Sequence, residues 1–131
     1  MAKESGLGMT IAIDDSAGTA RTISNDITNC DFATPRAVQD ITGLDKSANE
    51  RLLLLADFSV TLNGVFNDAS NMSHDVFKTV PSSSVARTTT ITVSGQVMAT
   101  ESFYSDYSLS RSTGGELTWS APGALAGGAV P

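Results

Sequence analysis

Reactive side chains are scarce in this chain, which has one cysteine and one histidine in 131 residues. The count excludes an intramolecular disulfide, and a cytosolic origin is expected. A Ser-His-Asp or Cys-His centre has only Cys30 and His74 to draw on. A zinc site needs several nitrogen or sulfur ligands and cannot be assembled from one of each without carboxylates. Charge is sparse as well: 17% of residues are charged, against about 25% in an average domain. The 8 Lys and Arg do not cluster, and 14 Asp and Glu outnumber them for a net charge of −6. A general grip on nucleic-acid phosphates is therefore not expected. Apolar runs are short. The longest, Leu52-Leu53-Leu54-Leu55-Ala56, falls far below the ~20 residues that span a bilayer. No membrane partner is expected, and Met1–Gly6 lacks the hydrophobic region of a signal peptide.

The groups that could suggest chemistry have simpler readings. His74 sits in Asn71-Met72-Ser73-His74-Asp75, a polar helix start, and reads as a surface residue. Cys30 falls in a strand-like stretch and reads as an inert, half-buried thiol. Asp14-Asp15-Ser16-Ala17-Gly18-Thr19 carries only a fragment of calcium-loop spacing and reads as a hairpin turn. Asp40 and Asp45 flank another turn, and Gly114-Gly115 and Gly127-Gly128 lack phosphate-loop spacing. The sequence thus implies no enzyme, no catalytic residue, no cofactor and no metal.

What is abundant is Ser and Thr, with β-branched residues in short alternating runs. Met9–Ile13 and Ala20–Ile23 read as a hairpin, Ile27–Phe32 and Ala37–Thr42 as further strands. Ser47-Ala48-Asn49-Glu50 matches a capping box ahead of apolar residues, which predicts a short helix at about 47–54. The clearest strand runs from Ala56 to Asn63. Ala56, Phe58, Val60 and Leu62 alternate with Asp57, Ser59, Thr61 and Asn63. Met72, Val76, Phe77 and Val80 predict a short amphipathic helix within 69–80, capped by Ser70 or Ser73. Arg87–Ser94 is Thr-rich and extended, with a bulge or bend at Gly95 and the register kept by Val97 and Ala99. Tyr107–Arg111 and Glu116–Ser120 form a hairpin around Ser112-Thr113-Gly114-Gly115.

The expected fold is mainly β: a small β-sandwich or barrel-like sheet pair with one or two short helices. Residues 1–131 form a single domain, with 121–131 as a flexible, Gly-rich tail. The expected core is Phe58, Val60, Leu62, Ile91, Val93, Leu109, Leu117 and Trp119. Asp57, Ser59, Thr61 and Asn63 form the opposite face, toward solvent, a neighbouring subunit or a lumen.

Two stretches carry a family resemblance. Ser105-Asp106-Tyr107-Ser108-Leu109-Ser110-Arg111 followed by Gly114-Gly115-Glu116-Leu117-Thr118-Trp119-Ser120-Ala121-Pro122 resembles the closing hairpin of tail tube (major tail) proteins of long-tailed bacteriophages. Gln39 to Leu55, then Asp57 to Phe66, resembles the turn, helix and strand that precede it there. The resemblance covers about residues 36–130. It implies a small β-sandwich with a flanking helix, hexameric rings with a continuous inner β-barrel, and rings stacked into a tube. It also implies the partners: further copies of itself, the tape measure, tail terminator and baseplate proteins, and genomic DNA that passes without specific binding. The implied location is the tail of a virion, after synthesis in the host bacterial cytoplasm. Other readings are a capsid decoration or tail-terminator protein, or an adhesion or carbohydrate-binding module with Tyr104, Tyr107 and Trp119 as a sugar platform.

Overall fold

The structure is a computed structural model that describes residues 5–127 and 130–131. In chain order it contains β1 (Thr10–Asp14), β2 (Ala20–Thr22), a 3₁₀ turn (Ser24–Asp26), β3 (Ile27–Ala33), β4 (Arg36–Asp40), β5 (Arg51–Ala56) and β6 (Ser59–Val65). After these come α1 (Ser73–Phe77), β7 (Arg87–Val93), β8 (Gln96–Tyr104), β9 (Ser108–Arg111) and β10 (Leu117–Gly127). Eight strands form one antiparallel sheet in the order β2-β1-β7-β8-β10-β6-β3, with β9 beside β8 on the same flank of β10. The remaining two, β4 and β5, pair only with each other.

Chain connectivity forces the large sheet to curl. β2 and β3 lie at opposite ends of the strand order. Laid flat, those ends would sit about 29 Å apart at the usual strand spacing. The link from Thr22 to Ile27 spans at most about 18 Å. The sheet therefore curls until its ends approach without pairing, and Met9 and Ile11 share a cleft with Ile27, Thr28 and Cys30 across that gap. The result is one large, barrel-like sheet with the small β4–β5 pair beside it.

The inside of the roll is the core. Ile11 and Ile13 of β1, Val60 and Leu62 of β6, Ile91 of β7, and Trp119 and Ala121 of β10 are all at most 2% exposed. Phe58, just before β6, joins them. Two bulky aromatics lie over glycines directly opposite them: Trp119 over Gly64 and Tyr104 over Gly123. A Cβ on Gly64 would stand 2.1 Å from the Asp26 carbonyl and 2.7 Å from the Trp119 ring. Glycine at these two sites lets the strands bend while the rings fill the space. Trp119 donates its indole N–H to the Val65 carbonyl at 2.8 Å, and the Tyr104 hydroxyl meets Thr89 Oγ1 at 2.7 Å.

Helix α1 packs its apolar face onto this core. Phe77 is fully buried, with ring centroids 5.2–5.6 Å from Trp119, Tyr104 and Tyr107. Two buried charged residues strap the segment. Asp26 accepts the Ser73 backbone N–H at 3.1 Å and the Asn67 amide at 2.9 Å. Arg87 donates to the Val76 carbonyl at 2.9 Å, to Thr79 Oγ1 at 2.9 Å and to the Asp14 carbonyl at 3.0 Å.

The structure corrects several expectations. Residues 47–54 are not a helix: Leu52–Leu55 lie in β5, paired with β4. Ser47 caps nothing; instead Thr42 Oγ1 accepts the Glu50 N–H at 2.8 Å and closes the loop. Strand pairing satisfies more backbone than one helical turn would, and so it overrides the local capping signal. The 69–80 helix shortens to Ser73–Phe77, and its side-chain cap comes from Asp26 rather than Ser70 or Ser73. Ser94 and Gly95 both take positive φ, 51° and 79°, so they form a tight two-residue hairpin turn between β7 and β8 rather than a bulge. Residues 121–127, expected to be loose, extend β10, where Ala121 and Gly123 are buried. Ala56 is exposed at the end of β5 rather than in the core.

Candidate functional site

Among the described residues no group of three His, Cys, Asp or Glu side chains is placed to hold a metal ion. His74 is half-buried between Phe66 and Tyr107, and its Nδ1 lies 3.2 Å from the Tyr107 hydroxyl. Desolvation, with a smaller push from Asp26, raises the Tyr107 pKa. Cys30 is half-buried on β3, where burial and the neighbouring Asp31 push its thiol up to about 11. The Asp15 carboxylate closes the first hairpin turn by accepting the Ala17 and Thr19 N–H groups and Arg21 Nε. The Thr19 N–H, first among these, holds its carboxyl below the usual range. The Asp40 carboxylate is bound by Thr42 and likewise held low. These groups organise turns.

The expected core residues divide. Phe58, Val60, Leu62, Ile91 and Trp119 are buried, Val93 and Leu117 half-buried, and Leu109 is 44% exposed. Leu109 sits directly opposite Trp119 but at the rim of the barrel, where it lines a cleft of about 270 Å³ with His74, Val80 and Tyr107. Tyr104 and Trp119 are buried and Tyr107 half-buried, so the three do not form an exposed platform for sugar rings.

Two surfaces stand out. The first is the outward face of the sheet. Ser59, Thr61 and Asn63 of β6 face out and pair with Ala124, Pro122 and Ser120 of β10. Thr88, Thr90 and Thr92 of β7 pair with Glu101, Ala99 and Val97 of β8 on the same face. Along the outward positions of β6, β7, β8 and β10 the one charge is Glu101, bonded by the Thr88 hydroxyl, and there is no Lys or Arg. The alternation along β6 pointed to its three residues. Their partners on β7, β8 and β10 need the strand register, which sequence does not supply. Asp57 falls outside this face: its N–H donates to the Pro35 carbonyl at 2.8 Å and its carboxylate accepts the Phe58 N–H. It lies at the break between β5 and β6.

The second surface is a projecting ribbon. β3 runs on through Pro35 into β4, and β5 runs on through Asp57 into β6, so β4 and β5 extend the β3–β6 pair beyond the body. Every residue of β4 and β5 is exposed, and none belongs to the core cluster. Leu52, Leu53 and Val38 are about half exposed, and Leu55 is 92% exposed. So many bare leucines together are unusual on the surface of a monomer.

The class is therefore a rolled antiparallel β domain, capped by a short helix and carrying an apolar ribbon. No protein-family model matches the sequence, and no curated protein does. Solved structures share the fold over the full length. One is a chain in the tail of an empty gene transfer agent particle with C6 symmetry, at TM-score 0.81 and 18% identity, covering 98% of this chain and 99% of that one. Another is a chain in the virion of a native gene transfer agent particle, at TM-score 0.78 and 18% identity, covering 96% of each.

Proposed function

We propose that this chain is a tail tube subunit: a structural protein, not an enzyme, whose copies join into rings that stack into a tube for DNA.

 The carrying observation is the full-length fold match, at TM-score 0.81, to a chain of a six-fold symmetric tail. The uncovered apolar ribbon and the unpaired edges of β2, β3 and β9 support it. Such edges invite uncontrolled pairing in a monomer and are covered when copies add to one another. In this reading the function is geometric. The outward sheet face, with Ser59, Thr61 and Asn63, lines the lumen. Hydroxyls and the carboxylates of Glu101 and Asp31 offer passing phosphates no cation to hold, and the net charge of −6 repels them. Tape measure, terminator and baseplate proteins would meet the tube along its lumen and at its ends, within a virion tail. Negative-stain microscopy of the purified chain tests this: stacked rings with a central channel are expected. A species that stays monomeric at high concentration and physiological salt overturns it.

A further inference from the structure

Asn63 and Gly64 form the one Asn-Gly dipeptide of the chain. Each is set by its face of β6. Gly64 points into the barrel, where a Cβ would stand 2.1 Å from the Asp26 carbonyl and 2.7 Å from the Trp119 ring, so only glycine fits. Asn63 points outward, into a cleft of about 330 Å³ that it lines with Thr28, Ser108 and Ser120. Side by side, these two residue types are chemically unstable in an unfolded chain. Asparagine is thermolabile, and a glycine after it leaves its own nitrogen unshielded and free to swing onto the carboxamide. Gly64 N then attacks Asn63 Cγ. The N–Cγ bond forms, the nitrogen gives up its proton to base, and the Cγ–Nδ2 bond breaks to release ammonia. Water opens the resulting succinimide at one of its two carbonyls. The product is aspartate or, with the main chain rerouted through the side chain, isoaspartate.

The folded strand holds that nitrogen away from Cγ. The β6–β10 ladder is pinned at both ends: the Leu125 N–H donates to the Phe58 carbonyl at 2.9 Å, and the Phe66 N–H to the Leu117 carbonyl at 3.1 Å. Hydrogen-bonded pairs recur at every second residue, so Gly64 and Trp119, directly opposite in this register, exchange their main-chain bonds. On the other side the Asn63 carbonyl accepts the Thr28 hydroxyl at 3.2 Å. Extended backbone at Asn63 also denies the ψ rotation that ring closure needs. We propose that Asn63-Gly64 is a deamidation site that folding closes, and that a chain left unfolded is converted there into one that cannot regain the native barrel. Isoaspartate adds an atom to the main chain ahead of Gly64. That atom moves Gly64 from its place under Trp119 and breaks the register that carries the indole N–H to the Val65 carbonyl. Aspartate keeps the register, so loss of refolding follows the isoaspartate fraction. None of this depends on the tail tube reading.

The test holds the wild-type chain at one mildly alkaline pH and temperature in two states, native in buffer and unfolded in urea. Peptide mass spectrometry follows Asn63 over time. Asn49, Asn67 and Asn71, each followed by a residue with a side chain, are internal controls. In urea Asn63 should convert ahead of the other three. In the native chain it should convert at least about 100-fold more slowly, because the reaction waits on the opening of a core strand. A smaller ratio, or no lead over the controls in urea, overturns the closed site. The aged chains are then diluted out of urea, and tryptophan fluorescence and circular dichroism read refolding. The refolded fraction should fall in step with isoaspartate at position 63. Wild-type chain held in the same urea at mildly acidic pH, where base-driven ring closure stalls, should refold fully, as should Asn63→Gln held at the alkaline pH. Native refolding of chains that carry isoaspartate at 63, or an equal loss in the acid-held chain, overturns the link between this site and refolding.

Discussion

Gly64 and Trp119 show how a single missing Cβ shapes this domain. The indole lies against the Gly64 backbone because the two are paired across β6 and β10, and its N–H reaches the Val65 carbonyl at 2.8 Å. Gly64→Ala would place a methyl group 2.7 Å from the ring and 2.1 Å from the Asp26 carbonyl. Neither neighbour can yield freely: the ring sits against Phe77 and Tyr107, and Asp26 is the buried strap on α1. The substitution should cost about 3 kcal/mol, the upper end of ordinary overpacking. Thermal unfolding of the variant measures it, and an unchanged melting temperature would contradict the packing described. Cys30 gives a chemical counterpart. Its thiol is raised to about 11, so at neutral pH it carries little thiolate, the form that reacts. Alkylation should be slow in the folded chain and speed up on denaturation; equal rates in the two states would remove burial as the cause.

At the scale of elements, α1 depends on partners far from it in sequence. Its five residues are too few to hold a helix alone. Arg87 supplies the strap at its C-terminal end, and desolvation lowers the guanidinium pKa without a carboxylate in direct contact. Arg87→Met should leave the Val76 and Asp14 carbonyls short of a donor and cost about 3 kcal/mol. Hydrogen exchange should show residues 73–80 losing protection before the strands do. Uniform loss across the sheet would mean that Arg87 holds the barrel rather than the helix. Such long-range dependence also decides what sequence reading can see. β6 was legible because Val60 and Leu62 alternate against a buried interior, which leaves a period of two in the chain. β5 was not, because Leu52–Leu55 are apolar on both faces and carry no period. The capping-box pattern at Ser47–Glu50 then became the strongest local signal. Residues 121–127 read as a loose tail because they are small, yet smallness is what lets Tyr104 lie over Gly123. On the candidate surface, Thr61 could be read from alternation alone, whereas Leu109 needed the barrel rim to explain its exposure.

For the whole molecule, the decisive question is what the outward sheet face meets. Thr61 is half-buried on that face, opposite Pro122 on one side and Asp31 on the other. Thr61→Lys should fold, because an outward polar exchange usually costs under about 0.5 kcal/mol, and Asp31 stands ready as a neighbour of opposite sign. If copies form the proposed ring-stacked tube, the variant places a ring of ammonium groups at each level of the wall. If this face lines the lumen, those rings attract phosphates that the native hydroxyl wall lets pass. Particles should then assemble with normal morphology but transfer DNA poorly, and the defect should shrink as salt rises and screens the attraction. Thr61→Glu is the matched control: it keeps the wall free of cations and should transfer DNA like the native chain. Equal loss in both variants would assign the defect to packing. Normal transfer by Thr61→Lys particles would place this face away from the DNA path, with the tube itself unaffected.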